Sequence, residues 1–174
     1  MEQYALVFFP ESIPEEIQTF RKKYDPQWKV IQPHITIVFP FLGIPEASII
    51  THTSSIVKNI KPFEIRLKKF MKSFDHCLFL LVQEGKENIY ALHEQLYTGI
   101  LTSYLKDDIP FIPHMTIGYF GTTDDQLKKE LYEKALAEAI TTNFELSSSF
   151  NTLSLIKGDG ITPAKIVRTF TLQA

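Results

Sequence analysis

The chain has 174 residues, 44% of them hydrophobic and 22% charged, the size and balance of one folded domain rather than a disordered tract. Its 18 basic and 20 acidic residues leave a formal net charge of −2, which argues against gripping long nucleic acid by neutralising many phosphates. No apolar run approaches the roughly 18 residues of a membrane span, and with Cys77 as the single cysteine no intrachain disulfide can form.

Tyr4 to Phe9 reads as a first strand, because neither a basic segment nor a small-residue cleavage site marks it as a secretory signal. One free cysteine and no export signal point to the cytoplasm, and a monomer is expected. Ser12-x-x-Glu15, with Pro14 in the first turn, predicts a capping box that opens a helix running to about Tyr24. Ile31 to Phe41 is a predicted strand. Pro45 to Ile60 fits a helix with Ile49, Thr53, Ile56, Val57 and Ile60 as its stripe. Phe63 to Phe74 and Cys77 to Val82 read as a hairpin turning near Asp75-His76, which makes Cys77 a packed, inert thiol.

Glu87 to Leu105 is the clearest amphipathic helix, and Ile112 to Phe120 is another strand. Thr122 or Thr123 is expected to cap a helix ending near Ile140, with Leu127, Leu131, Ala135 and Leu136 inward. Two closing strands, Asn151 to Lys157 and Lys165 to Leu172, flank Gly158-Asp159-Gly160. The pattern is α+β, with mostly antiparallel strands. It forms one domain over residues 1–174.

An internal echo carries the chemistry. Pro33-His34-Ile35-Thr36-Ile37 is matched by Pro113-His114-Met115-Thr116-Ile117, an offset of 80 (114 − 34). An offset near half the chain suggests two related lobes with one motif strand each. Strand alternation puts His34 with Thr36, and His114 with Thr116, on one face, while Ile35, Ile37, Met115 and Ile117 anchor the other. The same parity sends Phe39, Phe41 and Tyr119 to the core face. It leaves Gly118 as open space beside His114, and Phe120 at the rim. Trp28 remains an aromatic near the motifs able to stack a base.

Cleaving a phosphodiester needs a base to activate the attacking oxygen and an acid for the leaving oxygen. Two histidines divide these roles near pH 7. Threonine hydroxyls donate to the non-bridging oxygens, and a protonated imidazole holds the anion, so no metal and no cofactor is required. A zinc site from His34, His114 and a carboxylate would leave Thr36 and Thr116 without a role. His52 and His93, in helical stretches, are expected at exposed or boundary positions, and His76 at a hairpin. The clusters Arg21-Lys22-Lys23 and Arg66, Lys68, Lys69, Lys72 read as solvated faces. Arg66, Lys68 and Lys157 are the candidates for reaching a second phosphate.

His34-Ile35-Thr36 and His114-Met115-Thr116 resemble the paired H-x-T signature of the 2H phosphoesterase family, which includes the 2′–5′ RNA ligase-like proteins and cyclic phosphodiesterases. Tyr24-Asp25-Pro26 is similar to the approach to the first motif in small bacterial members. The resemblance spans nearly the whole chain. It implies a bilobal fold in which two mainly antiparallel sheets face a central cleft, helices packed outside, with His34 and His114 catalytic and Thr36 and Thr116 on the phosphate. It also implies metal-independent action on 2′,3′-cyclic phosphates or 2′–5′ linkages, with a small cyclic nucleotide or an RNA end as substrate. A non-catalytic protein that binds RNA ends through the same cleft is the rival reading. Which histidine is the base stays open.

Overall fold

Runs of β-branched and aromatic residues alternate with short amphipathic stretches, and burying both against one another gives a mixed structure. The computed structural model describes residues 2–73, 75–106, 108–121 and 124–173. In chain order these form β1 (Gln3–Phe8), α1 (Glu15–Tyr24), a 3-10 turn (Pro26–Lys29), β2 (Ile35–Phe41), α2 (Glu46–Val57), β3 (Phe63–Lys72) and β4 (Cys77–Glu84). There follow α3 (Lys86–Leu96), a second 3-10 segment (Gly99–Tyr104), β5 (His114–Tyr119), α4 (Asp125–Thr142), β6 (Leu146–Phe150), β7 (Thr152–Gly158) and β8 (Lys165–Thr171). The α+β class with antiparallel strands is as expected.

Hydrogen bonding joins the strands into one eight-stranded sheet, ordered β6-β3-β4-β5-β2-β1-β7-β8, rather than the two separate sheets expected. The sheet still reads as two four-stranded halves. They meet at the motif strands β5 and β2, whose ladder registers a single pair, Ile35 with Met115. The helices cross this junction. α1 follows β1 yet packs on β5, and α3 follows β4 but packs on β2. Each motif strand is therefore backed by a helix from the opposite half.

Both motif strands carry a bulge at the same place. Val7 pairs with Thr36 and Leu6 with Val38, so Ile37 is the extra residue. Phe79 pairs with Thr116 and Leu78 with Gly118, so Ile117 is. A bulge puts two consecutive residues on one side, and Ile37, Val38, Ile117 and Gly118 are all buried. Parity beyond Ile37 and Ile117 therefore reverses. Gly118 sits in the core instead of beside His114: a Cβ there would lie 2.9 Å from the Phe120 ring and 3.4 Å from Tyr24 Cβ. Phe120 is buried and Tyr119 faces out. Phe39 is half-buried on the outward side, while a second irregularity between Tyr4 and Leu6 returns Phe41 to the core.

A bulge frees backbone groups that need partners. On β2 these come from α3: His93 Nδ1–H donates to the Ile37 carbonyl at 2.7 Å, and Tyr97 Oη accepts from the Phe39 N–H at 3.0 Å. His93 is consequently buried, stacked on Phe111 at 3.7 Å between ring centroids, not at the boundary expected of it. His52, half-buried, contacts the Leu96 carbonyl through Nε2 at 3.0 Å.

Other departures are local. α1 starts after Pro14 with no side-chain cap from Ser12. The long helix expected to Leu105 ends at Leu96, because Thr98 is extended and Gly99 takes φ +54°. β6, with three serines in Leu146–Phe150, lacks the hydrophobic pattern that would announce it, yet pairs along β3 from Phe63 to Leu67. Asp124 caps α4 by accepting from the Leu127 N–H at 2.9 Å. The expected caps Thr122 and Thr123 lie outside the described residues, as does Phe74. Ala135 and Ala139 are the buried residues of α4, and Leu127 and Leu131 are largely exposed.

Replacing His93 with Ala removes a buried ring and orphans the Ile37 carbonyl, and should cost about 2–4 kcal/mol. A thermal or urea melt checks this; a change below about 0.5 kcal/mol would mean the bulge needs no such support.

Candidate active site

The Ile35–Met115 pair fixes the geometry of the centre. One step along an antiparallel register from that pair sets His34 opposite Thr116, and Thr36 opposite His114. Each histidine thus lies across from the other motif's threonine. The two segments share one burial pattern: Pro33, Ile35 and Ile37 are buried while His34 and Thr36 are half-exposed, and Pro113, His114, Met115, Thr116 and Ile117 repeat this. His34 and Thr116 line one pocket of about 360 Å³ together with Arg21, Asp25, Cys77 and Tyr119.

Both imidazoles are held identically. His34 Nδ1 lies 2.8 Å from the Gln32 carbonyl, and His114 Nδ1 2.5 Å from that of Ile112. A carbonyl only accepts, so Nδ1 carries the proton in each ring and Nε2 is left as the free nitrogen. Phe79 stacks on His114 at 3.5 Å and 19°, and Phe9 leans on His34 at 6.0 Å. This packing covers part of each ring, and both stay half-exposed. Burial pushes His34 down to about 4, helped by the nearby charges of Arg21 and His114 and opposed by the Gln32 bond. It also lowers His114, against the Ile112 carbonyl and Asp75. At neutral pH the His34 ring is therefore uncharged.

Arg21 and Asp25 are the pocket residues that sequence reasoning missed. Arg21 was expected on a solvated face, but it is only 3% exposed and Asp25 4%. Arg21 donates to Asp25 Oδ2 from Nε at 2.9 Å and Nη2 at 2.6 Å, and from Nη2 to the Ile31 carbonyl at 3.2 Å. Its Nη1 makes no hydrogen bond among the described residues. Asp25 Oδ1 accepts from the Gln27 N–H at 2.9 Å, which caps the 3-10 turn. Pairing and hydrogen bonds offset the desolvation of both charges. The available signal was an Arg and an Asp four apart at a helix end, just before Pro26.

The other expected contributors lie elsewhere. Arg66 is paired with Glu84 and Glu145, Lys68 with Glu145 at 3.7 Å and Lys157 with Glu2 at 2.9 Å, so carboxylates already hold these cations. Cys77 is half-exposed at the start of β4 rather than packed in the core. Burial, then Asp75, pushes its thiol up to about 12, so it stays protonated. Among the described residues no three His, Cys, Asp or Glu side chains cluster so as to hold a metal ion, and no helix is long and apolar enough to cross a membrane.

Comparison with known proteins adds the following. The family model of the 2′-5′ RNA ligase superfamily matches residues 9–162. A Bacillus licheniformis protein carrying a phosphoesterase name is 32% identical over 128 residues, 71% of this chain and 74% of its own length. A Bacillus pumilus protein named likewise is 33% identical over 129 residues, 71% of this chain and 73% of its own. Among solved structures, TT0787 of Thermus thermophilus has a TM-score of 0.63 at 16% identity, covering 99% of this chain and 98% of its own. Escherichia coli LigT with 3′-AMP has a TM-score of 0.61 at 14% identity, covering 99% of both chains.

The lowered His34 value has a consequence for stability. An unfolded imidazole takes its proton near pH 6.5, whereas the folded one waits until about 4. Between those values the unfolded chain holds more protons, so folding weakens as pH falls, by up to about 3 kcal/mol. Denaturant melts from pH 7 to 4 should show this slope, flattened in His34→Gln; identical slopes would mean that the ring is hydrated.

Proposed function

The chain belongs to the 2′-5′ RNA ligase superfamily and is a phosphoesterase, and from that premise we propose that it cleaves 2′,3′-cyclic phosphates or 2′–5′ phosphodiesters of nucleotides or RNA ends by two-histidine acid–base catalysis. The observation that carries the reading is the matched pair of imidazoles, each pinned through Nδ1 to a carbonyl two residues back and each set beside the other motif's threonine. Support also comes from LigT, a structural relative solved with 3′-AMP.

In this reading one Nε2 takes the proton of the attacking oxygen while the other returns a proton to the leaving oxygen. His34, whose proton affinity is lowered to about 4 with the Arg21 charge beside it, is the base, and His114 the acid. Thr36 and Thr116 donate to the non-bridging oxygens, where charge builds in the transition state. Arg21, its charge paired with Asp25, offers Nη1 as a hydrogen-bond donor to the phosphate, since Asp25 and Ile31 take its other donors and Nη1 has no partner among the described residues. The phosphate's negative charge in turn raises His114 toward its charged form. No step calls for a metal. The whole residue span forms one working unit, one motif per half, and a single free cysteine suits the cytoplasm.

Purified protein in excess EDTA, offered 2′,3′-cyclic nucleotides and 2′–5′ dinucleotides, should turn over at least one. His34→Ala and His114→Ala should each lose about 10²–10⁴ in rate. Full activity in either variant would sink the mechanism. Tight binding of every candidate without turnover would favour the rival, a protein that binds RNA ends.

The pH dependence of kcat/KM reports the free protein. Its acid limb should lie near the His34 value of about 4 and its alkaline limb below pH 6.5, where His114 loses its proton. An optimum above pH 7.5 would mean that these two histidines do not set the limbs.

A further inference from the structure

We infer that a groove beside the candidate active site binds the next nucleotide of a single-stranded RNA, so that the protein prefers oligonucleotides to mononucleotides; this rests on the phosphodiesterase reading above. The groove, about 450 Å³, runs between the end of α1, the 3-10 turn, the end of β5 and α4. It shares Asp25, Pro26 and Tyr119 with the pocket that holds His34 and Thr116, so a chain leaving that pocket past Tyr119 enters it directly.

Its surface has the two chemistries that a nucleotide presents. Trp28 is 37% exposed and Tyr119 43%, and they offer flat apolar faces that the core has not claimed. Bases stack on such faces without regard to sequence. Around them stand lysines. Lys23 is committed to Glu138, which also accepts from the Tyr24 hydroxyl and so ties α1 to α4 as a fixed wall. Lys22, Lys29 and Lys134 make no salt bridge among the described residues, and Lys22 and Lys29 lie over the Trp28 ring at 5.7 and 5.1 Å. Such exposed cation–π contacts are weak, and a stacking base displaces one lysine onto its own phosphate.

Asp25 does not oppose a phosphate here, because its charge is already neutralised by Arg21. Of the lysines without a salt bridge, Lys22 and Lys134 line the groove, and Lys134 also acts on the Glu138 carboxylate, so the cations there suffice for about one phosphate and no more, which fits a formal net charge of −2. The bulge at Ile117 is what makes the groove continuous with the site: without the parity reversal, Tyr119 would point into the core.

Trp28 is the sole tryptophan, so its fluorescence reports on the groove alone. A uridine tetranucleotide with a 3′-phosphate should quench it saturably, and Trp28→Ala should bind about tenfold more weakly. On 2′,3′-cyclic substrates, kcat/KM should be at least tenfold higher for a tetranucleotide than for a mononucleotide. Trp28→Ala should bring that ratio near one with mononucleotide turnover unchanged, and Trp28→Phe should restore most of it. Unchanged emission at saturating tetranucleotide, no binding at all, or a ratio near one in the natural protein would overturn the inference. Quenching without turnover of any substrate would uphold the groove and defeat the catalytic reading instead.

Discussion

A single pair of residues, Ile35 and Met115, is where the two halves of the sheet touch by backbone pairing, and the rest of the molecule is arranged around that narrow contact. One pair cannot hold two four-stranded halves against the entropy of separating them. The helices do so instead, since α1 lies on β5 and α3 on β2, each reaching across from the opposite half. The same contact gives the site its symmetry. With Ile35 opposite Met115 on the buried side, histidine faces threonine on the open side twice over, and neither motif is complete without the other.

Much of this was legible in the sequence. The Pro-His-x-Thr-Ile repeat and strict alternation set the buried and open faces through each motif, and every residue from Pro33 to Thr36 and Pro113 to Thr116 lies as alternation requires. Alternation held through Ile37 and Ile117 and failed at the next residues, Val38 and Gly118, because a bulge is a property of two strands and no composition marks it. That failure misplaced Gly118, Tyr119 and Phe120 together. His93 was unreadable for the same reason: its partner is a carbonyl that exists as a free acceptor only once β2 has bulged. β6 was hidden by its serines, whose strand state comes from lying along β3. Arg21 looked like a surface charge because three cations stood in a row. Only the fold shows that the first turns inward to Asp25 while the next two stay in water.

The electrostatics are less symmetric than the backbone. Both imidazoles lose water, but His34 alone also feels a buried guanidinium, whereas His114 has an aromatic ring flat against it. A duplicated pair of motifs is thereby set among neighbours that are not duplicated. Environment, not residue type, separates an acid from a base in such pairs. The helix end that carries Arg21 and Asp25 leads directly to Trp28, so the chemistry of the pocket and the shape of the groove beside it have one structural origin.

Cys77 sits in the wall of this pocket, and its surroundings bear on chemical durability. A sulfur there would be a point of attack for peroxides and alkylating agents if it ionised, because the thiolate is the reactive form. With the thiol pushed up to about 12, only on the order of one molecule in 10⁵ carries a thiolate at pH 7. The half-buried position and the Asp75 charge thus hold the proton on sulfur, and the reactive thiolate stays scarce in the pocket wall beside His34.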